Sequence, residues 1–233
     1  MRKLFLLLFF LCLHYAEAQG INSFEKELEA HIGGEFSRGL GAYADFGIAG
    51  AIEINDIWFF KGGAALGKTE YDYDIKAFTN AGMQIFKNFP LVFTIAYIYN
   101  GLPEYDVNSH TVLPVIAING KRAGIAAGVS FRFTSFFGGD AVFEPVLSFA
   151  GYLNFFNNER FLLGIRCANY SDFYPGNMGA YLLSLNSAIN LGAINLGQQW
   201  TILAALELIQ SGSVALSANF YGIAIRGGIR YSW

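Results

Sequence analysis

Gly124-Ile125-Ala126-Ala127-Gly128-Val129-Ser130-Phe131-Arg132-Phe133-Thr134 alternates along its length. Ile125, Ala127, Val129, Phe131 and Phe133 fall on one parity, and Ser130, Arg132 and Thr134 on the other. Successive strand side chains point to opposite faces, so this stretch is a strand with one oily and one wet face. The same pattern recurs outward from it. Leu147, Phe149, Leu153 and Phe155 alternate with Glu144, Ser148 and Asn154. Leu183, Leu185, Ile189 and Leu191 alternate with Ser184, Asn186 and Asn190. Toward the N-terminus, Phe46, Ile48, Ile52 and Ile54 alternate with Asp45 and Glu53, and Leu28, Ala30, Ile32 and Phe36 with Glu29, His31 and Glu35.

Composition says where such strands can live. Of 233 residues, 54% are hydrophobic, 17% aromatic and only 14% charged, and mean hydropathy is +0.36. An average soluble domain carries about 25% charged residues. The apolar content excludes disorder. Past the N-terminus no run of roughly 18 apolar residues exists, which disfavours spanning helices. A hydrophobic chain of alternating strands then fits a closed barrel in a membrane, where every backbone polar group must be paired.

Residues 1–18 read as a secretory signal peptide. Arg2 and Lys3 precede an apolar core, Leu4 to Leu13, and Ala16-Glu17-Ala18 fits a small-x-small cleavage site. Cleavage near Ala18 leaves 19–233 as the barrel and moves the formal charge from −3 to −4, no balance for binding nucleic acid. Cys167 is the one cysteine left, so no intrachain disulfide forms.

Twelve alternating segments are predicted, over 24–36, 40–54, 57–68, 74–86, 91–100, 111–118, 123–134, 142–155, 160–170, 179–191, 199–209 and 213–233. Counts of 8, 10 or 14 are the alternatives. A parity slip between Phe220 and Tyr221 predicts a bulge near Asn219. Turns alternate in length. Asn55-Asp56, Lys87 to Pro90, Asn119-Gly120 and Asn157-Asn158 are short; Lys68 to Tyr73, Gly101 to His110, Thr134 to Asp140 and Ser171 to Met178 are longer. Short periplasmic turns and longer external loops are the asymmetry of outer-membrane barrels. Aromatic residues gather near both predicted strand ends, among them Trp58, Phe89, Trp200 and Trp233 at one and Tyr73, Tyr97, Tyr99 and Tyr170 at the other.

The last eight residues are Arg226-Gly227-Gly228-Ile229-Arg230-Tyr231-Ser232-Trp233. They resemble the C-terminal β-signal of bacterial outer-membrane proteins, with Arg226, Gly228, Tyr231 and Trp233 at its polar, glycine and aromatic positions. The chain as a whole is similar to small outer-membrane β-barrel proteins of diderm bacteria, though to no one subfamily. That resemblance implies recognition by the barrel-assembly machinery, outer-membrane lipid as the surroundings, and the cell outer membrane as the location.

With apolar residues facing lipid, parity assigns the lumen: Glu29, Glu35, Asp45, Glu53, Glu144 and Glu207 as acids, Lys61, Lys76, Arg132, Arg166, Arg226 and Arg230 as bases. Glu27 shares the parity of Glu29. Glycines and alanines on this face, among them Gly33, Gly63, Gly67, Gly82, Gly124 and Gly128, read as open space. The leading expectation is a narrow porin-like channel for small hydrophilic solutes. The alternative is a non-conducting structural or adhesin-like barrel acting through its external loops.

A lipid-modifying enzyme is the third reading. Ser109-His110, with Asp106 nearby, reads as a solvated loop, because neighbours on an extended chain point apart. Asp72-Tyr73-Asp74 reads as a polar loop tip. His31 among Glu27, Glu29 and Glu35 lies on a single strand, too little for a metal site without help. No phosphate loop, zinc spacing or nucleotide fingerprint is present. The expectation is therefore no catalytic residue, no metal, no cofactor and no enzyme.

Overall fold

The computed structural model describes residues 24–37, 41–54, 57–69, 73–86, 89–120, 122–136, 139, 141–157, 161–169, 180–190, 199–211 and 219–233. The predicted leader, Asp72, Tyr170 and the Ser171 to Met178 loop lie outside the described residues. Twelve strands follow in chain order: β1 Phe24–Ser37, β2 Gly41–Ile54, β3 Trp58–Thr69, β4 Tyr73–Phe86, β5 Phe89–Leu102, β6 Val107–Asn119, β7 Ala123–Ser135, β8 Val142–Asn157, β9 Phe161–Ala168, β10 Ala180–Asn190, β11 Trp200–Ser211 and β12 Asn219–Ser232. Each pairs antiparallel with its sequence neighbours, and β1 pairs with β12 to close the barrel. Closure leaves no unpaired sheet edge, as a lipid environment demands.

Antiparallel partners share a face, so one register chain sorts every strand. Asp45 stands across from Gly33 and Gly67, Gly33 from Arg226, and Gly67 from Asp74. Those residues are on the inner face. The other parity is oily and open: Ile32, Ile125, Leu147 and Ile225 are each about two-thirds exposed. A soluble monomer rarely exposes such an apolar belt. At the end carrying Phe24 and Trp233, the Tyr231 ring stacks on Trp233 at 5.4 Å and meets Trp200 at a tilt, 4.8 Å away. Trp58, Phe86, Phe89 and Phe155 are exposed at the same end. Tyr73, Tyr97, Phe133 and Phe143 are exposed toward the other.

Departures from regular pairing have local causes. The β11–β12 register passes from Ile209↔Gly222 to Gln210↔Phe220, leaving Tyr221 as the extra residue of a bulge. This is two residues from the predicted site. Phe155 is passed over likewise between β8 and β9. The β6–β7 pairing passes from Val112↔Phe131 to Val115↔Gly128, around Pro114, which has no N–H to give.

Two expectations need correction. The Gly101 to His110 stretch is not a loop: β5 runs to Leu102, a 3₁₀ turn occupies Pro103–Tyr105, and β6 starts at Val107. Asp106 turns the chain with a left-handed φ of 47°, a conformation aspartate tolerates. Tyr73 and Asp74 are not at a loop tip but begin β4, where Asp74 is buried. Of the last predicted segment, 213–218 lies outside the described residues, and the strand is described over Asn219–Ser232.

The candidate functional site in the barrel lumen

Twelve strands spaced about 4.8 Å and tilted by about 40° give a backbone radius of about 12 Å. A long side chain standing upright would reach about halfway to the axis, so the rotamers on the inner face decide how much lumen remains. By register, the inner face carries all twelve charged positions that parity assigned, with Glu35 and Glu207 placed by their backbone positions.

The charges divide into layers. Nearest the terminal end, Arg230 donates to Glu29 at 3.0 Å and lies 3.6 Å from Glu27. All three are partly exposed, as a wet mouth allows. Deeper, Arg226 Nη1 donates to Asp45 Oδ2 at 2.6 Å, and the Asp45 side chain is wholly buried. Toward the far end, Lys76 Nζ donates to Asp74 Oδ2 at 2.7 Å and to Tyr43 Oη at 2.6 Å, while Tyr43 Oη donates to Asp74 Oδ2 at 3.3 Å. Burying an ion is costly unless it is paired and hydrogen-bonded, and these groups are. Elsewhere Arg132 stands directly across from Glu144, and Lys61 lies 5.6 Å from the centre of the Phe78 ring. Glu53 is exposed at the terminal end.

The inner glycines are not open space. Most accommodate a neighbour's side chain where their own Cβ would be, while Gly128 meets the Pro114 carbonyl. Tyr43 occupies that place at Gly67, Phe78 at Gly63, Phe59 at Gly82, His31 at Gly47 and Tyr152 at Gly124. Asp45 and Arg226 share the place at Gly33. In most cases the large residue stands directly across the ladder from the glycine. The glycine lets a bulky side chain lie down along the wall instead of standing toward the axis. The lumen is thus lined more densely than small residues alone imply, while its axis is relieved of rings.

Nor is the inner face polar all round. On β5 and β6, Val92, Ala96, Ile98, Leu113, Val115 and Ala117 turn inward and are buried. Phe78 and Ile98 pack with Ala49, and Leu113 and Val115 with Ala96. Beside this oily wall is a cavity of about 360 Å³, reaching from Phe59 on β3 to Arg166 on β9. Asn80, Thr94, Asn119, Tyr152 and Asn154 supply its polar lining.

Tyr43, Phe59, Asp74, Phe78 and Tyr152 are lumen residues beyond the charged set that parity assigned. Parity could have found them: Phe59 shares it with Lys61, and Asp74 and Phe78 with Lys76. The assembly-signal positions divide by face. Arg226 and Gly228 turn inward; Tyr231 and Trp233 turn out to the aromatic belt. Trp233 also exchanges two backbone hydrogen bonds with Lys26, both 3.0 Å. Ser109 and His110 lie on β6 with opposite parity. His110 Nδ1 and Tyr97 Oη lie 2.7 Å apart on the outer face, and Thr134 Oγ1 donates to Ser109 Oγ at 3.4 Å on the inner one. Among the described residues, no three of His, Cys, Asp and Glu gather as metal ligands.

No protein-family model and no curated protein matches the chain. Solved structures do. The KdgM porin in complex with disordered oligogalacturonate superposes with a TM-score of 0.58 at 7% identity, covering 89% of this chain and 99% of that one. The NanC porin gives 0.58 at 10% identity, covering 87% and 98%. The translocator domain of the autotransporter NalP from Neisseria meningitidis gives 0.54 at 12% identity, covering 93% and 92%. The chain therefore has the all-β fold of outer-membrane β-barrels, over most of its length and nearly all of theirs.

Proposed function

We propose that the protein is an outer-membrane β-barrel that lets small hydrophilic solutes pass through a narrow lumen. In this reading residues 1–18 are the leader, outer-membrane lipid covers the apolar belt, and the barrel-assembly machinery reads Arg226, Gly228, Tyr231 and Trp233. The observation that carries it is the sidedness of a closed wall: an exposed isoleucine and leucine belt outside, and paired charges, amides and a cavity within. Burying the Asp45–Arg226 and Asp74–Lys76 pairs costs desolvation that a merely stable core avoids. A polar path offers a reason for them. Two similar folds, KdgM and NanC, carry the word porin in their descriptions, which supports the same reading.

The alternative is a non-conducting barrel acting through its far-end loops. It is favoured by one observation: Asp45, Asp74 and Lys76 are buried and paired rather than bathed by a wide pore. Purified protein inserted in a planar bilayer separates the two. The channel reading expects discrete conductance steps. Silence at every voltage, from protein shown to be inserted, removes it and leaves the alternative.

A further inference from the structure

The lumen changes along its length. In the terminal half its charged residues are open: Glu27, Glu29 and Arg230 are partly exposed and Glu53 is exposed. The cavity lies in this half, among Phe59, Asn119, Tyr152 and Asn154. From mid-strand toward the far end the inner residues are shut in. Tyr43, Lys76, Ile98, Leu113, Ser130 and Ser148 come from six strands, β2 and β4 to β8, and all are buried. Leu113 stands at the boundary: it lines the cavity and packs with the buried Ala96 and Val115.

Depth decides what this burial means. Tyr43 lies on the wall over Gly67. Lys76 lies on Tyr43 in turn, its Nζ 4.7 Å from the ring centre. The Lys76 side chain is itself only 3% exposed. An ammonium is strongly hydrated, and beside a wide wet lumen it keeps water on its open side. Here the second tier is closed over as well. The filling is therefore at least two side chains deep, inside a wall of about 12 Å radius. On the neighbouring wall Arg226 crosses β1 at Gly33 to reach Asp45, whose side chain is wholly enclosed.

We propose that this layer is the constriction of the lumen, that Tyr43, Asp74 and Lys76 set the size of solute that passes it, and that the cavity is a vestibule on its terminal side. Solute passage rests on the channel reading; the constriction rests on packing. In a tube of uneven bore the narrowest segment limits the current. Widening the layer therefore acts strongly on conductance, and widening the cavity acts weakly.

Single-channel recording in potassium chloride tests this, with the full chain in a planar bilayer. Asp74→Ala with Lys76→Ala removes the second tier and both charges of the pair together, so neither ion is left buried alone. Tyr43→Ala removes the first tier. Each is expected to raise the unit conductance about twofold or more, and Phe59→Ala, which enlarges the cavity, to raise it less. Leu113→Ala, which touches no charge, decides the matter should those layer variants fail to fold. A native barrel that conducts, with steps unchanged in the folded layer variants, overturns the constriction and keeps the channel. An equal rise with Phe59→Ala does the same. A silent native barrel whose layer variants conduct keeps the constriction, as a closed one, and removes the channel reading. Silence from every variant, each shown to be inserted, removes both.

Discussion

Glycine and its partner across the ladder set the character of this lumen. Gly67 gives its space to the Tyr43 side chain, which in turn holds Lys76 and Asp74. Adding a methyl there must push Tyr43 toward the axis. Gly67→Ala is expected to cost about 1–3 kcal/mol, the usual penalty for overpacking, and to cost much less in a Tyr43→Ala background. Urea unfolding of the barrel in lipid vesicles measures both, and equal costs in the two backgrounds would contradict the seating. The Asp45–Arg226 pair makes a second case. Asp45→Ala leaves a guanidinium buried beside a lost partner, at about 3–5 kcal/mol. Asp45→Asn with Arg226→Gln removes both charges and is expected to cost less than Asp45→Ala alone. Parity assigns a face to Asp45 and Arg226 without needing a partner, while Asp74, at the very start of β4, escaped it. The pairings were not legible in the sequence: Arg226 and Asp45 are 181 residues apart and meet only when β12 closes on β1.

At the scale of the strand, alternation read well wherever lipid lies on one face and polar groups on the other. It blurred on β5 and β6. There the inner face is oily too, with Ile98 and Leu113 inward and Tyr97 and Val112 outward. A run apolar on both sides carries no period, so nothing in the pattern marks the far-end extensions of these strands through Leu102 and from Val107. On β8 the alternation is clean and can be tested by neighbours. Ser148 is packed inside, where it hydrogen-bonds to Ser130, so Ala150, which borders the cavity, is the better inward probe. Phe149→Arg sets a charge against lipid and is expected to cost about 2–4 kcal/mol; Ala150→Arg is expected to be milder. Equal losses in the same unfolding assay would reject the facing. At the terminal end, the ring cluster of Trp200, Tyr231 and Trp233 joins β11 and β12 at the aromatic belt. Trp233→Ala is expected to lower the yield of folded barrel in membranes more than Trp58→Ala, because only Trp233 lies in the stretch that resembles an assembly signal. Equal yields would leave that tail a belt and nothing more.

For the molecule as a whole, one closed sheet separates two solvents. Its outside is made of side chains a soluble protein would bury, and its inside holds paired ions, rings laid over glycines and a cavity. Sidedness was within reach of the sequence because it follows from a period of two. How far the lumen is filled was not, since that depends on which bulky residue faces which glycine across the ladder. The most direct test of the sidedness places nitroxide spin labels one at a time from residue 124 to 134, with the protein in lipid vesicles. Collision with oxygen is compared with collision with a water-soluble nickel chelate. Oxygen access is expected to rise at 125, 127, 129, 131 and 133 and to fall at the even positions between them. A flat profile, or nickel access peaking at the odd positions, would contradict it.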